Sequence, residues 1–335
     1  MEGITVALDL MGGDFGPRVS VPAIKQALTF YSDLNVLAFG KEDLVLDFFR
    51  KEKLVGNSRV ELINAVDVVE GNENPKFALR HKRQSSMWMA IEAVSTKKAM
   101  AAVSAGNTGA MVAIANHLLG NIPGIHRSAL VKVLPTLNKK GTVFLDLGAN
   151  LHCDQNVLFQ FAVMGSILAS DYLNIENPRI AVLNVGREAI KGTEAIQGAS
   201  ALLNQCNTLN YIGFVEGNDI FGNVADVIVT DGFSGNVALK TAEGLYRVIE
   251  QRLSGYTLLH KLLKPIKYLH KKRITDMQPD GYNGSSLLGL NGVVVKSHGA
   301  ADCNALVRAI AQARSEYLNR VPEHIADCLI KLKGA

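Results

Sequence analysis

Cysteine is sparse in this 335-residue chain, and none of it is clustered. Cys153, Cys206, Cys303 and Cys328 stand far apart with no C-x-x-C. That argues against a disulfide scaffold or a thiolate metal site and reads as reduced, partly buried thiols in a cytoplasmic protein. No apolar run reaches ~18 residues, so no membrane-spanning helix is expected. A strand starting by Ile4 leaves no signal peptide to expect either. Charge of one sign is not in large excess: 35 Lys and Arg against 31 Asp and Glu give +4. A broadly nucleic-acid-like surface is therefore not expected, and any basic partner surface must be local. The familiar catalytic signatures are missing too. There is no G-x-x-x-x-G-K-[ST], no G-x-G-x-x-G after the first strand, no H-E-x-x-H and no G-x-S-x-G elbow. No metal and no cofactor are called for.

What is present is a repeated turn. The chain is 48% apolar and 20% charged, which suits a well-buried globular core. Ala101–Val112 reads AAVSAGNTGAMV: an apolar strand, a tight Gly turn, then small apolar residues at helical spacing. Gly106 and Gly109 allow positive φ or close backbone approach, and Asn107 or Thr108 can cap the helix. Backbone N–H groups at such a start favour an anion. The same grammar recurs at Val6–Pro17, Val143–Asn150, Val182–Glu194 and Val227–Lys240. Strands alternating with helices imply a mainly parallel sheet covered on both faces, a three-layer α/β/α sandwich. Right-handed crossovers then predict the strand carboxyl ends, and all five turns, along one edge. Residues 1–335 read as one α/β domain with room for two lobes, and no boundary is visible.

Along the chain the pattern predicts helices over Val19–Phe30, Lys41–Lys51, Ser85–Thr96, Gln155–Leu173, Glu194–Asn204, Asn236–Leu253, Ala301–Leu318 and Glu323–Leu332. Strands are expected over Ile4–Leu8, Leu34–Phe39, Arg179–Val185, Tyr211–Val215, Val224–Thr230 and Val293–Lys296. Val60–Val69 is β-rich, Glu70–Lys76 reads as a polar loop, and Arg80–Arg83 as a solvated basic face. Ser128–Leu134 and Thr142–Leu145 read as an antiparallel hairpin inserted in the sheet. Ser254–Arg273 stands apart as an amphipathic helical segment that would protrude from the domain. Leu258, Leu259, Leu262 and Leu263 share one helical face, with Lys261, Lys264 and Lys267 largely elsewhere. Such a segment suits an anionic membrane surface, an acidic partner, or a dimer contact with a lysine-rich outer face.

Val6–Pro17, Ser104–Ala110, Leu145–Asn150, Asn184–Glu194, Asp231–Thr241 and Leu288–Asp302 together resemble the PlsX family of bacterial phosphate acyltransferases, in order and nearly end to end. Leu10, where the family usually has Ala, is a small departure. The resemblance implies a fold like the isocitrate/isopropylmalate dehydrogenases and phosphate acetyltransferases, and a homodimer. It implies transfer of a fatty acyl group from acyl carrier protein to inorganic phosphate. The acyl phosphate would feed a membrane glycerol-3-phosphate acyltransferase, PlsY, in phospholipid synthesis. The protein would then sit in the cytoplasm, peripherally on the inner face of the membrane, with no nucleic-acid partner.

Phosphate is a competent nucleophile near neutrality and a thiolate an undemanding leaving group, so the site must position and stabilise rather than deprotonate. Ser104, Gly106, Thr108 and Gly109 of the central turn, with Gly235 and Asn236, are the candidate phosphate cradle. Lys191, Lys240 and Arg127 are candidates to balance its charge. Asn107, Asn150 or Asn236 would donate to the oxyanion, and His298 would protonate the departing sulfur. Asp9 and Asp14 would order the first loop and the bound substrate. The competing readings are a short-chain phosphate acetyltransferase-like enzyme, a nicotinamide-dependent dehydrogenase on the related fold, and a non-catalytic membrane-surface scaffold for acyl carrier protein.

Overall fold

The computed structural model describes residues 3–137, 141–255 and 284–334. Its first half builds β1 (Ile4–Asp9), α1 (Pro17–Phe30), β2 (Leu34–Gly40), α2 (Glu42–Lys51), β3 (Val60–Asn64), α3 (Pro75–His81), α4 (Ser86–Ser95), β4 (Ala101–Ser104) and α5 (Thr108–Leu119). Then come β5 (Ala129–Leu134), β6 (Thr142–Leu145), α6 (Gln155–Leu173), β7 (Ile180–Leu183), α7 (Glu194–Gln205), β8 (Tyr211–Val215), β9 (Val227–Val229) and α8 (Gly232–Gly255). The chain closes with β10 (Ser285–Leu288), β11 (Val293–Lys296), α9 (Cys303–Leu318) and α10 (Val321–Gly334). All strands join one eleven-stranded sheet, in the order β3-β2-β1-β4-β11-β10-β5-β6-β9-β7-β8.

Side-chain alternation along each strand feeds two separate layers. Val6 and Leu8 of β1 pack with α1 and α9, whereas Ala7 between them joins the cluster of α4 and α5. In the other half, Val143 and Leu145 of β6 pack against α6 and α10, and Phe144 turns to the side of α8. The three-layer α/β/α sandwich is therefore as expected. α6 is, among the described residues, long and apolar enough to cross a membrane. Instead its Val157, Leu158, Phe161, Met164 and Leu168 are buried in the core, each contributing about 1.5–3 kcal/mol by leaving water.

The expectation of one common edge is overturned. Antiparallel pairing is confined to β11–β10, β10–β5 and β5–β6. These three steps reverse the sheet, and β9, β7 and β8 continue parallel to β6. The carboxyl ends of β1, β4 and β11 lie at one edge, and those of β6, β9 and β7 at the other. The hairpin expected between Ser128 and Leu145 is the physical cause, since an odd number of antiparallel steps flips every strand beyond it. Two elements were not foreseen. Asn74 caps and Pro75 opens α3 within the region read as loop and basic face, and β10 is a short strand of half-polar sequence. Of the amphipathic segment, Ser254 and Gly255 end α8, and 256–273 lie outside the described residues.

Candidate active site

Where the sheet reverses, the layer of α4 and α5 and the layer of α8 lie on the same face, and a cavity of about 650 Å³ opens there. Its floor is a polar row across five strands. Asp9 of β1 accepts from the Ser104 hydroxyl of β4 at 2.7 Å. Ser104 is in register with Lys296 of β11, and Lys296 with Ser285 of β10. Ser286 pairs with Val131, which sets Ser285 beside Lys132 of β5. Each of these residues occupies the strand face that its apolar neighbours two positions away devote to the core. Lys132 and Lys296 are buried, at 6% and 8% exposure.

The walls come from turns on both edges. Buried Asp9 accepts from the N–H groups of Met11 and Gly12, which shapes the first loop. Asn107 caps α5 by accepting from the Ala110 N–H, and its amide donates to the carbonyls of Gly71 (2.9 Å) and Glu73 (3.0 Å). It thereby clamps the 70–73 loop to the helix start. A methyl at Gly109 would lie 2.7 Å from the Pro75 ring, so glycine is needed where α3 crosses α5. Across the cavity Asp231 holds the start of α8, accepting from the Ser234 N–H. Gly235 lets that turn approach the Asp146 carbonyl, which an added Cβ would meet at 1.9 Å.

The electrostatics converge on the lysines. Burial, reinforced by the nearby charge of Lys240, lowers the Lys296 ammonium to about 8, despite Asp9 and Asp14. Its Nζ donates to the Ala105 carbonyl at 3.2 Å and to the Ser297 carbonyl. Glu243 of α8 is pushed up by burial, but hydrogen bonds from His298 and Lys240 and the charges of Lys240 and Lys132 outweigh this and hold it at about 2. Lys240 donates to Glu243 at 2.9 Å, and His298 Nε2 stands 3.8 Å from the same carboxylate. Lys132, Lys240, Lys296 and His298 share the cavity with Asp14, Glu70 and Glu243, so it offers a cluster of cationic donors to an oxyanion without a net excess of positive charge.

Of the residues proposed from sequence, Asp14, Gly106, Asn107, Thr108, Gly109, Asn236, Lys240 and His298 line this cavity. Asp9 and Ser104 lie beneath it, and Gly235 packs the start of α8 behind it. Asn107 reaches it with its amide hydrogens already engaged by loop carbonyls, which fits positioning better than oxyanion contact. Lys191, Arg127 and Asn150 are outside the lining. Lys191 sits on the loop after β7, pairing with Glu188 at 2.8 Å. Arg127 is exposed ahead of β5. Asn150 donates to the Ser128 carbonyl and the Asp146 carboxylate, closing the turn after β6. Lys132 and Lys296 were missed. Their signal was a single lysine inside an otherwise apolar strand, ALVKVL and VVVK. A cation there must face something other than hydrocarbon.

A family model described as fatty acid synthesis protein matches residues 4–324. The chain is 47% identical over 337 residues to a phosphate acyltransferase of Shewanella woodyi, covering 98% of this chain and 97% of that one. It is 47% identical over 331 residues to a phosphate acyltransferase of Aeromonas salmonicida, with the same coverage. In fold it is similar to a phosphotransacetylase from Streptococcus pyogenes (TM-score 0.63, 17% identity, 94% of each chain). It is also similar to a branched-chain phosphotransacylase from Enterococcus faecalis (TM-score 0.60, 14% identity, 93% of this chain and 99% of that one). A polar, lysine-bearing cavity at the reversal of this sheet is thus set in a sequence matched almost from end to end, and the chain belongs to the fatty acid synthesis protein family that includes the PlsX phosphate acyltransferases.

Proposed function

We propose that the protein transfers a fatty acyl group from acyl carrier protein to inorganic phosphate in this cavity. The observation that carries the reading is the convergence of Lys132, Lys240 and Lys296 with the first turn of α5 around one space. Phosphate enters largely as the dianion and is held by the three ammonium groups and by N–H groups at Thr108 and Gly109. One phosphate oxygen attacks the thioester carbonyl carbon. The tetrahedral oxyanion that forms is stabilised by Asn236 and the same cationic surroundings. The C–S bond then breaks, and His298, held beside Glu243, hands the proton released by the phosphate to the departing sulfur. The products are acyl phosphate and free thiol, with no net proton consumed. Holding two reactants in this way can lower a barrier by about 7 kcal/mol or more, and no strong base is required.

Support for an acyltransferase acting on phosphate also comes from the relatives' names. The carrier-protein donor, the use of the product in phospholipid synthesis by PlsY, the homodimer and the peripheral membrane position belong to this proposal. The lysine-rich amphipathic sequence of 254–273 supports the last of these. The decisive measurement is release of free thiol from acylated carrier protein with and without phosphate. Release that depends on phosphate supports the reading; release without it, or none, defeats it. Acetyl-coenzyme A offered as the donor separates the short-chain alternative.

A further inference from the structure

A second depression leaves the lysine-bearing cavity along α8. It encloses about 200 Å³. Leu134 and Pro135 at the end of β5, Phe221, and Leu239, Ala242 and Tyr246 of α8 line it. Its polar lining is Lys132 and Glu243, and these two, with Leu239, also line the lysine-bearing cavity. The two spaces therefore share a wall. The polar groups stand at their junction and the apolar ones lead away from it. On α8 the lining positions from Leu239 to Ile249 follow one helical face, a run of about 15 Å at 1.5 Å per residue.

We infer that this groove is the subsite for the hydrocarbon chain of the acyl donor. The inference rests on the acyl-transfer reading above and adds the substrate's chain-length selectivity to it. A thioester presents a polarised carbonyl joined directly to an apolar tail. With the carbonyl against phosphate in the lysine-bearing cavity, the tail must depart through an apolar exit that begins there. The groove meets that requirement in both continuity and lining. Lys132 stands at the junction, so one side chain faces the phosphate oxygens and its apolar stem borders the first methylenes. Ala242, Leu134 and Phe221 are among the side chains that line the groove.

Each methylene taken from water improves binding about three- to fourfold. Apparent kcat/KM for phosphate-dependent thiol release therefore rises from butanoyl to longer acyl carrier proteins in the wild type. Ala242→Trp, at a position that is not itself in the lining of the lysine-bearing cavity, fills the groove. It is expected to lower kcat/KM for the hexadecanoyl donor about tenfold or more while leaving the butanoyl donor within about twofold. Equal loss at every chain length, or no loss at any, overturns the inference; a groove covered by another copy or by the chain's own 256–283 segment gives one of those results. Phe221→Trp supplies a test independent of turnover and of the Ala242 variant's folding. A fatty acid brominated along its chain quenches the new indole emission, measured against the wild type, which has Trp88 alone. No added quenching at saturating ligand overturns the inference. If quenching occurs while no donor gives phosphate-dependent thiol release, the groove stands and the acyl-transfer reading falls.

Discussion

Lys296 shows how much a single buried side chain can decide. Its ammonium titrates near 8 because burial and neighbouring cations disfavour the charge. A protonated amine is needed to hold a phosphate dianion, so the KM for phosphate should rise as pH passes through about 8. Lys296→Met should raise that KM by about tenfold or more and flatten its alkaline limb, with the KM for the acyl donor changing little. Steady-state kinetics in both substrates across pH 6 to 9.5 check this. Glu316 makes the opposite case on the far face of the sheet. It is fully enclosed, bonded by the Ser286 hydroxyl and by Gln312, and burial raises it to about 7. The unfolded carboxyl releases its proton from about pH 4.5 upward, whereas the folded one keeps it to about 7. Its stability is thus fully present below 4.5 and lost as pH rises through that window, about 3 kcal/mol in all. Glu316→Gln should remove that slope from denaturant melts between pH 4.5 and 7. The lysines themselves were hard to read from sequence, because a lone charge in a strand has no local partner that reveals it.

Among the elements, α5 carries the most consequence for its length. Asn107 does two things there, capping the helix and holding the carbonyls of residues 71 and 73. The two are separable. Asn107→Ser keeps an oxygen able to cap, so Asn107→Ala should be less stable than Asn107→Ser by about 1 kcal/mol. Both variants lose the clamp, so hydrogen exchange at residues 70–73 should accelerate in both. Amide exchange alongside thermal melts distinguishes the two roles. The cap was legible in the sequence from the strand, Gly turn and helical spacing. The clamp was not, since the 70–73 loop lies more than thirty residues away and meets Asn107 only when α3 packs on α5. The short α3 itself had a readable signal in Asn74-Pro75, a cap followed by a first-turn proline.

At the scale of the molecule, the cavity lies between halves whose strands run in opposite directions. Phosphate bound there, as proposed, would touch residues from β5, β11, α5 and α8 together. Binding should therefore stabilise the protein as a unit, by about 2.7 kcal/mol at a hundredfold excess over Kd. A thermal melt in phosphate should rise by a few degrees over chloride at equal ionic strength, and Lys296→Met should lose most of that rise. Under the proposed membrane role, the amphipathic 254–273 sequence would set the whole protein's position. Its lysines would each gain about 1 kcal/mol near an anionic bilayer, so the protein should float with anionic liposomes. Leu258→Glu combined with Leu262→Glu should abolish flotation while leaving the oligomeric state unchanged.

The sequence by itself determined the layered α/β architecture, nearly every helix and strand, the capped start of α5 and the family. All of these depend on periodicity, turn chemistry and motifs within a few neighbouring residues. Tertiary structure alone decided that β10 enters the sheet between β11 and β5, that Lys132 and Lys296 share a floor with Ser104 and Asp9, and that Lys191, Arg127 and Asn150 stand elsewhere. The reason is that strand order and relative direction are set by packing between distant segments. Periodicity says which side of a strand is buried, but not which strand, running which way, will lie beside it.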